Sequence, residues 1–129
     1  MISSNAFDYI NVLDKAADAS ALRNELIANN IANQDTPGYK RQDVNFEAQL
    51  KQALKNSKYV SIDDKVANVR MSALNAKQYT DYGDYSYRLD ENNVDPEQEQ
   101  VMLAANQLKY QGIMSSLKAE FSNLQTVIK

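Results

Sequence analysis

From Ser4 to Asn33 the chain meets no glycine and no proline. Across that span Ala6, Ile10, Leu13, Ala17, Ser20, Asn24, Ile27 and Ile31 recur at spacings of four and three, the period of a helix that lays one face along a partner. Ser20 and Asn24 interrupt the apolar row, and Leu22 and Leu26 lie off it, so the stripe is broad rather than a clean two-stranded seam. Ser3 and Ser4 supply N-cap hydroxyls, and Asp8 places negative charge near the positive helix end. Such a helix spans about 40 Å. That length is unusual for a small globule and invites a partner along it.

The stop is as definite as the run. Thr36 precedes Pro37, which biases it away from helical geometry. Pro37-Gly38 then suits the central positions of a type II turn: proline fixes φ and glycine accepts a positive φ. Just before this stop stand Asn29, Asn30 and Asn33, mediocre helix formers whose amides compete for nearby backbone groups.

A second long helix opens at "VDPEQEQ", with Asp95 as N-cap, Pro96 at the first helical position and Gln98 placed for a capping box. Glu97 and Glu99 complement the helix dipole. Beyond them Leu103, Asn106, Tyr110, Ile113, Leu117, Phe121, Leu124 and Ile128 follow spacings of three and four. Gly112, inside this run, costs helix stability and predicts a close helix approach.

Between the helices the chain is polar and less periodic. "VNFEAQLKQAL" predicts a short helix with Phe46, Leu50 and Leu54 on one face. "YVSIDD" suits a short strand, "MSALNAKQY" a helical turn, and the alternation Tyr85, Tyr87, Leu89 one face of a strand or a tyrosine-bearing loop. The fold class is therefore mainly α, with long terminal amphipathic helices pairing as a coiled coil around an irregular middle that holds a short helix and a small β element. The divisions are 1–34, 35–91 and 92–129.

Composition narrows the function. The 14 Lys+Arg against 17 Asp+Glu give a net charge of -3, which offers no broad basic footprint for nucleic acid. With no Cys and no His, thiolate sites and the commonest general base are excluded, and the carboxylates are scattered. No cofactor is expected, and catalysis is not. The longest apolar run, Val101 to Ala105, is far short of a membrane span. "MISSNAFDYINVLDK" lacks the basic and apolar regions of a cleavable secretory signal, so the protein either stays in the cytosol or leaves by a route that needs none.

"NNIANQDTPGYK", Asn29 to Lys40, resembles the N-terminal signature of bacterial flagellar rod and hook proteins. In that family a helix ends in N-[apolar]-[small]-N and is followed by a T-x-G-Y/F-type turn. Asn30-Ile31-Ala32-Asn33 and Thr36-Pro37-Gly38-Tyr39 match it in order and spacing. Asn92 to Ile128 looks like the family's other end, and its N-V-D opening, "NQLKYQ" and short tail resemble the proximal rod branch. The resemblance implies a structural subunit, exported unfolded through the flagellar type III apparatus without a cleaved signal. It implies helical polymerisation into the rod that crosses the periplasmic space, between the MS ring and the distal rod and hook. The partners implied are copies of the chain, rod proteins of the FlgC, FlgF and FlgG types, the junction protein FliE, the MS ring and the export gate.

Each signal also has an ordinary reading. Asn29, Asn30 and Asn33 either cap the last carbonyls of a solvated helix end or serve subunit contacts. The apolar stripes serve a hairpin within the chain, packing between copies, or both. Lys40-Arg41 is a solvated pair or a contact to an acidic neighbour in the rod. Phe46-x-x-x-Leu50 resembles the short motif by which rod and hook subunits engage the export gate, and helix packing explains it equally. A different class of function stands as the alternative: a cytosolic helical adaptor or chaperone working through an amphipathic hairpin.

Overall fold

The computed structural model describes residues 4–83 and 89–128. Helix α1 runs Ser4–Ala32, as the uninterrupted pattern predicts. After the turn come strand β1 (Gln42–Val44), helix α2 (Phe46–Lys55), helix α3 (Ile62–Ala67), a 3-10 turn over Met71–Leu74 and strand β2 (Gln78–Thr80). Helix α4, Pro96–Ile128, closes the chain. Its start is fixed by Asp95, whose Oδ1 accepts from the Glu97 and Gln98 backbone N–H groups at 3.1 and 3.3 Å.

The long helices pack together, antiparallel. Asn30 meets Glu99 at one end, while Ser20 and Asn24 meet Asn106 further along. By that register Ser4 lies opposite Gln125, so the last residues of α4 overshoot α1. The small sheet is antiparallel too, pairing Gln42 with Thr80, Asp43 with Tyr79 and Val44 with Gln78.

The main apolar core does not sit between the two long helices. It lies between α1 and the middle segment, where Ala19, Leu26, Val44, Phe46 and Leu74 are buried together. Leu22, Leu50 and Met71 pack around them. The segment that reads as polar and irregular therefore supplies most of the core, through isolated apolar residues that no local period connects.

Two local expectations change. Tyr59 to Asp64 forms no strand: Ser61 Oγ accepts the Asp64 N–H at 3.1 Å and starts α3 at Ile62. A serine cap with two acids in the first turn outweighs the strand preference of Val60 and Ile62. At Gly112 there is no close approach, for a Cβ built there meets no atom within 4 Å. "MSALNAKQY" divides into the 3-10 turn and β2. Of the tyrosine alternation, Tyr85 and Tyr87 lie outside the described residues, and Leu89 is exposed in a turn.

Candidate functional site

The stop after α1 folds as its residues dictate. Gly38 has φ 74, and the Tyr39 N–H returns to the Thr36 carbonyl at 3.2 Å, the closure of a type II turn. Around this turn the ends of α1, β1 and α4 converge on a buried polar hub.

Asn30 is its centre, fully buried. Its Nδ2 donates to the Gln42 carbonyl at 2.9 Å and to Glu99 Oε2 at 3.1 Å. Its Oδ1 accepts the Gln42 N–H at 2.9 Å and the Tyr39 hydroxyl at 3.1 Å. An amide offers two donor hydrogens and two lone pairs, and all are used within the chain. Towards Gln42 the side chain acts as a neighbouring strand would, exchanging both bonds with one residue.

Glu99 is 1% exposed, a burial that an unpaired carboxylate would not tolerate. Its Oε1 accepts from Arg41 Nε at 2.8 Å. The same guanidinium reaches Asp81 and Asp43, each at 3.1 Å. Burial works against the Arg41 charge, but Glu99, Asp81 and Asp43 outweigh it and raise its pKa above the ordinary arginine value. Asp81 is held below the usual carboxylate range, first by the Gly83 backbone N–H and, against burial, by Arg41. Burial and then the Glu99 charge push the Tyr39 phenol up, so it stays a donor to Asn30.

The stretch before α4 locks onto the same turn. Asn92 Nδ2 donates to the carbonyls of Asn33 and Thr36, both at 2.8 Å, a second bond for each beside the Thr36 and Tyr39 N–H groups that they already accept. Asn93 Oδ1 accepts the Arg41 N–H at 2.8 Å, and its Nδ2 donates to the Asp81 carbonyl at 2.8 Å. The Gly38 N–H donates to Asp90 O at 2.7 Å, and Lys40 Nζ donates to Glu91 O. Asn33 closes the helix end itself: Nδ2 donates to the Asn29 carbonyl, and Oδ1 accepts the Thr36 hydroxyl.

A second cluster stands about two turns of α1 further back, at Arg23. Arg23 grips both oxygens of Glu47 at 2.6 and 2.7 Å, Asp43 at 3.2 Å and the Val44 carbonyl at 2.6 Å. Lys109 of α4 also reaches Glu47. Arg23, with smaller help from Lys109 and against burial, holds the Glu47 carboxyl down at about 2. Between the clusters, buried Asn106 donates to Ser20 O at 2.8 Å and Asn24 Oδ1 at 2.7 Å. The polar interruptions of the two helical stripes thus face one another, and Asn106 Oδ1 is buried without a partner.

The residues singled out by sequence divide as follows. Asn30 is buried, Asn33 and Tyr39 are half-buried, and Asn29, Thr36, Pro37 and Gly38 are exposed. On the stripes Ile27 and Leu124 are buried, while Ile10, Leu13, Ile31, Leu103, Tyr110, Ile113 and Leu117 are half-buried. Phe121 and Ile128 are 53% and 70% exposed. Phe46 is buried, and with Leu50 it walls an apolar hollow of about 420 Å³ between α1, α2 and α4.

Sequence reasoning missed Glu99, Arg41, Asn93 and Asp81 as one constellation. Arg41, read as half of a solvated pair, is an internal hub. Glu99, read as a dipole charge, is its buried counter-ion. The available signal was that Glu99 lies four residues before Leu103 on the face turned to α1. Among the described residues no three Asp or Glu carboxylates are grouped to hold a metal ion, and no helix is long and apolar enough to cross a membrane.

This geometry is a clamp between terminal helices, and the relatives of the chain accord with it. A sequence model of the family "Flagella basal body rod protein" matches residues 10–40, which cover most of α1, the turn and Lys40. The chain is 34% identical over 126 residues to flagellar basal body rod protein FlgB of Bacillus subtilis, covering 92% of each. It is 30% identical over 122 residues to that of Escherichia coli, covering 89% of this chain and 88% of the relative. To that of Cereibacter sphaeroides it is 34% identical over 123 residues, covering 95% and 94%. The cytosolic adaptor or chaperone finds no support among these relatives. A chain related over nine-tenths of its length to these basal body rod proteins belongs to the FlgB family and is a structural protein of the flagellar rod.

Proposed function

We propose that the chain is a subunit of the proximal rod, exported through the flagellar type III apparatus and built helically between the MS ring and the distal rod and hook. The observation that carries this reading is coverage: the likeness to rod proteins spans both terminal helices and the middle, not the turn signature alone. The work is mechanical and not catalytic. The subunit crosses the periplasmic space as part of the rod, beside copies of itself, rod proteins of the FlgC, FlgF and FlgG types and the junction protein FliE. Export proceeds without cleavage of an N-terminal signal.

Burial supports one detail of the export step. Phe46 is 4% exposed in the folded chain, so an export gate that reads Phe46 and Leu50 does so before folding. Asn30 and Asn33 have their amides engaged internally, which leaves exposed Asn29 as the member of the trio free to meet a neighbour.

Deletion of Leu117–Lys129 tests the proposal. It removes the last third of α4 with buried Leu124, and rod assembly and swimming should be lost while export into the medium continues. Normal motility of cells carrying only the truncated chain would refute the reading.

A further inference from the structure

Helix α1 has three sides. One packs on α4, and a second, through Val12, Ala16, Ala19 and Leu26, packs on the core. The third carries Asn11, Asp14, Asp18, Ala21, Glu25 and Ala28 at spacings of three and four, and every one is exposed. Its charges are all negative. The two cations of α1 are turned elsewhere, Lys15 to Asn75 and Arg23 to Asp43 and Glu47. Phe7, 51% exposed, heads the same side.

The opposite charge lies in the segment from Lys51 to Lys77. It holds six cations, Lys51, Lys55, Lys58, Lys65, Arg70 and Lys77, against Asp63 and Asp64, a surplus of four in a chain whose net charge is -3. Asp63 is already engaged by the Tyr9 hydroxyl at 2.6 Å. None of the six cations forms an ion pair among the described residues, nor do Asp14, Asp18 or Glu25. Lys58, Lys65 and Arg70 line a cleft of about 330 Å³ between the end of α2 and α3.

We propose that the acidic side of α1 in one copy seats against the basic segment 51–77 of a second copy, with the Lys58–Lys65–Arg70 cleft receiving the carboxylates. The inference rests on the rod reading only in that copies of the chain must meet. The two surfaces are formed by different residues on different elements, and each copy offers both. The contact is therefore head-to-tail, and it leaves a free acidic side at one end and a free cleft at the other. Such a contact propagates unless its rotation closes a ring. Charge complementarity of this kind fixes register and speeds encounter, and salt weakens it. Ala21 and Ala28 let the helix edge approach closely.

Two charge-reversed full-length chains test this. One carries Asp14→Lys, Asp18→Lys and Glu25→Lys; the other carries Lys58→Glu, Lys65→Glu and Arg70→Glu. Sedimentation velocity at low and high salt should show the unmodified chain associating at low salt and dissociating as salt rises. Either reversed chain alone should associate about tenfold or more weakly, since three exposed attractions become repulsions. An equimolar mixture should recover association, because each reversed surface then finds its complement on the other chain, and recovery also shows that both chains fold. The inference is overturned by an unmodified chain that stays monomeric at low salt, by reversed chains that associate normally, or by a mixture without recovery. Purified basal bodies decide the rod reading separately. A chain present there but indifferent to reversal sinks only the docking contact, whereas its absence from them sinks the rod reading.

Discussion

Asn30 performs with one side chain what a paired strand performs with a peptide group, and a shorter side chain cannot reach. In Asn30→Ala the Gln42 N–H and carbonyl lose their buried partners, and Glu99 keeps only Arg41. Several buried groups left unsatisfied predict a loss of about 3 to 5 kcal/mol, read from the urea midpoint of the isolated chain. Asn29→Ala, one residue earlier and exposed, should shift that midpoint by less than about 0.5 kcal/mol. The sequence marks both asparagines as unusual, yet amide chemistry cannot separate them. What separates them is phase: Asn30 continues the inward row Ala19, Arg23, Leu26, whereas Asn29 falls outside it. Arg41 was harder to read, because its meaning lies in Asp81 and Glu99, far along the chain, and no local period ties them together.

Among the elements, the turn and the helical seam make different demands. Gly38 sits at φ 74 with open space where a Cβ would stand, so any penalty for a side chain is backbone strain and not collision. Gly38→Ala should therefore cost about 1 to 2 kcal/mol, and Gly38→Asn less, because asparagine tolerates the left-handed region. Thermal unfolding of the two variants side by side checks the order. In the seam, Asn106→Leu should change stability by no more than about 1 kcal/mol, since the bonds lost to Ser20 and Asn24 are offset by no longer burying an unpartnered Oδ1. Its effect should fall on register instead, seen as faster amide exchange along α4 at unchanged midpoint. Both long helices, the Asp95 cap of α4 and the turn were legible because their causes are local. The β pairing was expected only as a small element of unspecified partners, for the pairing of Gln42 with Thr80 depends on contacts that no short window contains.

At the scale of the whole molecule, acid should loosen the junction of α1, α2 and α4. Glu47 has a folded pKa of about 2, set chiefly by Arg23, against an ordinary 4.5. A depressed carboxylate stabilises fully above its unfolded value and loses that contribution as pH falls through the folded one. Stability should therefore decline between about pH 4.5 and 2, and Glu47→Gln should flatten the decline. Asp81, depressed in the same direction, should leave a residual slope. Urea midpoints at pH 7, 4 and 2.5 for both chains measure this. The hub has a consequence for time as well. Asn30 and Arg41 belong to the first third of the chain, while Asn92, Asn93 and Glu99 belong to the last. A chain delivered from its N-terminus, whether by synthesis or by passage through a channel, presents the turn long before the residues that lock it. Until Glu99 arrives, Arg41 lacks its buried counter-ion and the Asn33 and Thr36 carbonyls lack the Asn92 amide. The lock therefore closes late, and a chain still in transit is held open by the order in which its parts appear.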